Sequence, residues 1–481
     1  MTNGTVLAVG IDGACWPLVD DWIDQGILPN LKKIRDGGTW GDLESCVPPV
    51  TCPAWKCYST SQNPGELGVF WWESLDIEAK ESYTPTSKSF TQPELWDILN
   101  EAGVTTGVVG MPLTYPPKEV DGFMVSGGPG APDVNFTYPE SIEDELKEEF
   151  DYTPRPTYPA DAESDNDEVF AERSVEQVDL DFKVAKYLYK KYDVDFLQVC
   201  SFEINAPLQH LFYDGEPTKR AWKIIDGHLG DLAEEFEYVV IHSDHGTSEM
   251  DRQFFINSWL AREGYLTRDR SFFEKLADYG VTRDRILRVL DALRLRKPLS
   301  NIEAIRNVGK RIPDSRGLFG EKEGAAIFDK VLWEETDAVG LAQGPLYLNT
   351  DKLTDEEYDA TRDKLIREIE SVVDDDNDAN PVQQVFRKEN VYHGEYIDKA
   401  PDLVALDAPE YHNKGGIGKK ELFRKSEWRG NNARQGLHVI FGPEIDSNRT
   451  DAEIYDIVPT ILGLFDVESP SDLNGNSVIN K

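Results

Sequence analysis

Short, almost wholly apolar runs recur along this chain, and each ends at polar residues able to do chemistry. Residues 5–11 (TVLAVGI) stop at Asp12-Gly13, and Phe196–Ser201 (FLQVCS) feeds a segment from Phe202 to His210. Residues 238–241 run into His242-Ser243-Asp244-His245-Gly246. Runs of this length without alternation suit strands of a parallel sheet covered on both faces. Further strands are expected at 40–43, 103–109, 345–348, 402–406 and 438–441, with helices at 28–35, 175–191 and 452–464. A turn falls at 62–65, an aromatic strand or wall at 69–72, and a proline-rich loop at 112–117. The pattern predicts an α/β fold with a central, mainly parallel sheet flanked by helices. Residues 133–175 are acidic and poorly periodic, so a surface excursion is expected there. Residues 262–335 break the rhythm with a locally basic stretch at 283–311, read as a helical insertion ion-paired to the acidic body. The core is then 1–261 plus 336–481. No internal repeat is evident.

The segment Pro48-Pro49-Val50-Thr51-Cys52-Pro53-Ala54-Trp55 joins an extended approach to a helix start. The residue before a proline is pushed out of the helical region, and a proline in the first helical turn costs little. Thr51 is expected as the cap, which sets a hydroxyl beside the N–H groups of a helix N-terminus, a place that favours anions. An ordinary capping threonine would look the same in isolation.

Charge narrows the partners. With 89 acidic and 50 basic residues in 481, the formal net charge is −39. Such a field repels nucleic acid and anionic membranes, and resembles that of halophilic proteins, whose self-repulsion is screened at roughly 1 M salt, where the Debye length is about 3 Å. Neither nucleic acid nor membrane is an expected partner. Five cysteines without a C-x-x-C pair fit a reducing cytoplasm. The first residues carry no basic leader pattern, and no uninterrupted apolar stretch reaches the roughly 20 residues of a membrane span.

Asp244-His245 sets a carboxylate beside an imidazole at a strand end, a pair that suits Zn or Mn better than Mg. With Asp12 and Thr51 it supplies two carboxylates, one imidazole and one hydroxyl. That is enough for one divalent metal and a threonine nucleophile, chemistry suited to a phosphorus centre.

The chain resembles the alkaline phosphatase superfamily, and within it the type I phosphodiesterase/nucleotide pyrophosphatase family. The resemblance rests on VLAVGIDG (6–13), PPVTCPAW (48–55), NPG (63–65), PLTYPP (112–117), LQH (208–210), SDHG (243–246), INSWLAREGYL (256–266), LYLN (346–349), APDLV (400–404), GP (442–443), YDIVPTILGL (455–464) and LNG (473–475). It implies an alkaline-phosphatase-like core that hydrolyses phosphoric esters through a threonine nucleophile and divalent metals, commonly zinc. Asp12, Thr51, Asp244 and His245 match one metal site in full. The other departs: His210 stands behind Gln209, but Ala206, next to Asn205, takes the place of an aspartate, and Asn432 that of a histidine. Three arrangements stay open. Asn205, Asn432 and Arg434 contact phosphate without a second metal; Glu203 and His210 rebuild a shifted site; or the chain binds a phosphorylated ligand without turning it over. His438 is expected in the core. The expected substrate is a small phosphoester or nucleotide-like molecule. Sulfatase and P-loop readings fail, because neither the formylglycine motif nor a complete G-x-x-x-x-G-K-[ST] is present.

Overall fold

The computed structural model describes residues 4–76, 79, 81–128, 130–156, 167–268, 330–417 and 421–479. A ten-stranded sheet runs through its middle. Its main strands are β1 (Val6–Ile11), β2 (Thr39–Glu44), β3 (Thr106–Met111), β4 (Gly122–Ser126), β5 (Thr137–Tyr138), β6 (Phe196–Ser201), β7 (Tyr238–His242) and β8 (Gln435–Phe441). From edge to edge the order is Asn448–Arg449, β2, β8, β7, β1, β6, β3, β4, β5. β1 lies between β6 and β7 and is parallel to both. β3 is parallel to β6 and β4, whereas β8 is antiparallel to β7 and β2.

The apolar runs are uniform because both faces are covered. Val6 and Ala8 pack with the Thr51–Thr60, Leu95–Glu101 and Ile457–Leu464 helices. Leu7, Val9 and Ile11 face the other way, towards Trp16–Asp24, Pro29–Gly37, Asp167–Tyr192 and Glu216–Leu232. Alternate side chains on each strand thus feed two separate apolar layers. Open α/β sheets bind ligands at the carboxyl ends of their strands, where the order of connection reverses. β1 ends at Asp12, β6 leads to Asn205, and β7 leads to Asp244 and His245.

A smaller four-stranded sheet, Ala338–Gly340, Pro345–Leu348, Leu403–Asp407 and Val382–Arg387, carries the Asp355–Ile369 helix in its own apolar cluster. The long strand Gly246–Phe255 leaves the metal-ligand segment and pairs first with Gly430–Ala433, then with Glu410–Lys414.

Several expectations change. Residues 133–175 hold β5 and a Ser141–Phe150 helix that buries Ile142 and Leu146, one turn apart. Acidic neighbours had hidden that stripe, and the next helix starts at Asp167. Residues 69–72 form no strand; Val69, Phe70 and Trp71 are a buried wall. The last helix begins at Ile457, after a short strand and a 3-10 turn. Val50, with extended φ −113° and ψ 132°, is the helix N-cap, and Thr51 is the first helical residue rather than the cap. The basic stretch at 283–311 and most of the expected insertion lie outside the described residues.

The Thr51–Thr60 helix is fixed by charge as well as by packing. Lys56 is 1% exposed and sits 2.5 Å from Glu94 Oε1, while Lys118 reaches Glu94 Oε2 at 2.7 Å. Removing the carboxylate would strand a buried ammonium, so Glu94→Gln is expected to cost about 3–5 kcal/mol in equilibrium denaturation. Asp181 shows the opposite effect. It is buried beside Tyr152 and Gln177, whose hydroxyl and amide donate to it at 3.0 and 2.9 Å. Burial raises its pKa to about 7 against those two hydrogen bonds. The unfolded carboxyl ionises near pH 4 while the folded one keeps its proton up to about pH 7, so stability falls as pH rises through that window. Asp181→Asn is expected to be more stable than the parent above pH 7, by about 1.4 kcal/mol or more, and to lose that advantage near pH 4; melting curves across pH check it.

Candidate active site

Asp12, Asp244 and His245 place one ligand atom each within 4.8 Å of one another, and all three are buried. His245 Nε2 lies 3.6 Å from Asp12 Oδ1 and 3.3 Å from Asp244 Oδ2. Those two oxygens have no hydrogen-bond partner. His245 Nδ1 faces the Gly246 carbonyl at 2.8 Å, which makes Nδ1 the donor and leaves the Nε2 lone pair directed at the carboxylates. Thr51 Oγ1 is 3.1 Å from the same Nε2, and Thr51 is 2% exposed.

Two unpartnered carboxylate oxygens and an imidazole lone pair, enclosed together, are a mismatch for a proton-only site. Burial pushes Asp12 up to about 7, opposed by the hydrogen bond from Trp55. Burial, then the Asp12 charge, also raise Asp244 well above the usual carboxylate range. His245 falls to about 3, chiefly through burial. A divalent cation answers all three, and the O,O,N donor set with a hydroxyl alongside fits zinc or manganese.

The backbone is shaped to bring these groups together. A Cβ at Gly10 would stand 2.6 Å from the Trp55 ring. Glycine there lets the indole lie on β1 and donate from Nε1 to Asp12 Oδ2 at 2.9 Å. Gly13 has φ +68°, and a Cβ on it would meet Thr247 and Asn205 at 2.6–2.7 Å; its N–H donates to Asp244 Oδ1 at 3.1 Å. Trp55 was not among the residues singled out from sequence. Its place one helical turn after Thr51 was the available signal, since both then share a helix face.

Beside this centre lies an uncharged network. Asn432 Oδ1 contacts Asn205 Nδ2 at 3.2 Å and His210 Nε2 at 3.1 Å, and Asn432 Nδ2 donates to the Pro49 carbonyl at 3.0 Å. Asn205 Oδ1 accepts from Thr247 Oγ1 at 3.1 Å. His210 is lowered to about 4 by burial, against the Asn432 hydrogen bond.

A model of the type I phosphodiesterase / nucleotide pyrophosphatase family matches residues 6–435. The chain belongs to that family. Its core has the alkaline phosphatase-like fold. Phosphonoacetate hydrolase from Sinorhizobium meliloti 1021, solved with phosphonoformate, shares the fold with a TM-score of 0.59 at 14% identity, over 97% of this chain and 96% of that one. The same enzyme with phosphonoacetate gives 0.57 at 13% identity over the same shares. No curated protein matches the sequence. The family acts on phosphoesters and depends on metal.

In this phosphodiesterase-family chain Asp12, Thr51, Asp244 and His245 converge, while His210 lies outside the three-residue cluster and joins Asn205 and Asn432. The chain kinks at Ala206, with φ −115° and ψ 115°, and Asn205 rather than Ala206 reaches Asn432. Arg434 is not brought in. Its guanidinium pairs with Glu44 at 2.5 Å and contacts the Ser45 carbonyl, and it has no hydrogen bond to Thr51, Asn205, His210 or Asn432 among the described residues. Glu203 is buried, and its pKa is raised by burial and by Asp181. His438 donates to or accepts from nothing at the site; its Nε2 meets the Thr450 carbonyl at 2.8 Å. Among the described residues, no helix is long and apolar enough to cross a membrane.

Trp55→Phe keeps most of the packing but removes the donor that orients Asp12. Partners of this kind are worth about 10–100-fold in metal affinity. A loss in that range, with the melting temperature of the metal-free protein little changed, is expected in titrations with Zn or Mn.

Proposed function

We propose that this chain is a metal-dependent phosphoester hydrolase in which Thr51 is the nucleophile, and that Asp12, Asp244 and His245 hold a single divalent cation, zinc by choice of donors. The observation that carries the reading is the Thr51 hydroxyl at 3.1 Å from His245 Nε2, next to two carboxylate oxygens without partners. A cation held there would lower the pKa of a threonine hydroxyl and offset charge developing on phosphorus. Thr51 attacks phosphorus in line, its Oγ–P bond forming as the ester P–O bond breaks and the departing oxygen takes up a proton. Water then cleaves the phosphothreonine and returns the hydroxyl.

The chain's own groups supply the rest. The Thr51–Thr60 helix would turn its N-terminal end to the reacting group, and the Asn205 and Asn432 amides would donate to phosphoryl oxygens in place of a second metal, with the His210 ring holding the Asn432 amide in position. Trp55 and the Gly13 N–H hold Asp12 and Asp244 in position. The substrate class is a small phosphomonoester or phosphodiester, nucleotide-like ones included. The division into a core of 1–261 and 336–481 with an insertion at 262–335 belongs to the same proposal. A cytoplasmic, salt-adapted setting is supported by five free, buried cysteines and the charge of −39.

A second reading is a binding or regulatory protein, and the uncharged Asn205–Asn432–His210 network favours it because it provides less charge for transition-state stabilisation. Thr51→Ala separates the two. Hydrolysis of bis-p-nitrophenyl phosphate and p-nitrophenyl phosphate, in molar salt with elemental analysis of metal, is expected to fall at least 1,000-fold, with about one metal per chain in both proteins. Ester hydrolysis that survives Thr51→Ala would overturn the nucleophile. Absence of turnover in the parent, with metal and phosphate still bound, would establish the binding protein instead.

A further inference from the structure

Thr247 is the second residue of the Gly246–Phe255 strand, two residues after His245, and it is 3% exposed. Neither the metal centre nor the nucleophile uses it. Its Oγ1 nevertheless meets oxygens from three segments: the Gly13 carbonyl at 2.8 Å, Asn205 Oδ1 at 3.1 Å and Gln209 Oε1 at 2.7 Å. Carbonyl and amide oxygens only accept, and a hydroxyl has one proton to donate. Three buried acceptors therefore turn to a single donor.

The Asn205 amide has its orientation set from both ends. The Pro49 carbonyl can only accept, so Asn432 turns Nδ2 to it and presents Oδ1 to Asn205. Asn205 answers with Nδ2 at 3.2 Å, which leaves its own Oδ1 to Thr247. The strand register pairs Thr247 with Asn432, so the two side chains stand on one face and Asn205 is bonded to both. Gly13 closes the group: its N–H donates to Asp244, its carbonyl faces Thr247, and a Cβ on it would stand 2.6 Å from Thr247 Oγ1 and 2.7 Å from Asn205 Cγ. Gln209 Nε2 is buried without a partner, so that side chain is anchored through its oxygen at Thr247. Without the hydroxyl, Asn205 Oδ1 and its neighbouring oxygens would face one another with no proton between them, an arrangement a buried amide relieves by turning.

We infer that Thr247 is a positioning residue, whose hydroxyl fixes the Asn205 amide so that Nδ2 and not Oδ1 is turned to the phosphoryl group. This rests on the proposed reading in which Asn205 donates to a phosphoryl oxygen. An amide nitrogen has two protons; one goes to Asn432 Oδ1, and the other is the one a phosphoryl oxygen would take. Turned end for end, the amide would set a lone pair against the anion and repel it. A β-branched side chain suits the task, because its χ1 is stiff and holds the hydroxyl in one direction.

The test is a double-mutant cycle on the affinity of inorganic phosphate, by calorimetry on the metal-loaded full-length protein in molar salt. Thr247→Val is expected to weaken phosphate about fivefold or more with metal content unchanged. Thr247→Ser keeps the hydroxyl and is expected to restore the parent affinity to within about twofold. Asn205→Ala weakens phosphate by itself, and adding Thr247→Val to it should change the affinity by less than about twofold, because the two act through one contact. A general structural role would instead cost the same in both backgrounds, and that result would overturn the inference. So would Thr247→Val binding phosphate like the parent, Thr247→Ser binding as weakly as Thr247→Val, or a parent that binds no phosphate. Thr247→Ala replaces the valine variant in the same cycle if that one fails to fold. Binding needs no turnover, so failure of the hydrolase reading would show separately, as a metal-loaded parent that binds phosphate but cleaves neither ester.

Discussion

The structure depends on holding two ionisable carboxyl groups and one imidazole together out of water. Moving a charge from water into a protein interior costs several kcal/mol even after relaxation, and like charges side by side add to the penalty. Asp12 and Asp244 meet that cost with only part of the usual compensation: Trp55 and the Gly13 N–H each serve one oxygen and leave another unpartnered. A divalent cation is the simplest completion of such a set. Stability is thereby tied to metal, because any ligand that binds only the folded chain stabilises it by mass action.

Everything around the site limits how far its parts can move. β1 carries Asp12 between two parallel neighbours, and β7 carries Asp244 and His245 out of the next strand. The helix that starts at Thr51 is pressed onto β1 through Trp55, where Gly10 leaves room for the ring, and is held further along by the Lys56–Glu94–Lys118 ion pairs. Close packing of this kind keeps Thr51 Oγ1 at hydrogen-bond distance from His245. The neighbouring amide network is held with similar economy: Asn432 bridges Asn205, His210 and the Pro49 carbonyl, so it joins the segment after β6 to the nucleophile turn.

Charge is distributed unevenly. Many acidic side chains are exposed, where salt can screen them, while Asp12, Asp181, Glu203 and Asp244 are buried.

Much of this was legible in the linear chain. Uniform apolar runs ending in Asp12, Ser201 and His242 marked a doubly covered parallel sheet, because a strand buried on both faces cannot alternate. The residue types at those ends marked the chemistry, since carboxylate, imidazole and hydroxyl are what a metal-assisted attack on phosphorus uses. Other features could not be read that way. Helix starts depend on backbone angles, so Val50 rather than Thr51 is the cap. Ile142 and Leu146 are too few to announce a helix among acidic neighbours. Arg434 sits two residues from Asn432, yet the ion pair with Glu44, nearly 400 positions away, turns it aside. Gly13, Asn205 and Thr247 come from three separate segments and meet only because β1, β6 and β7 lie side by side in one sheet. Strand ends and residue chemistry are local properties, readable from neighbours in the chain. The partner of a side chain is a property of the packed molecule, set by which distant segments share a sheet and which charges they bring.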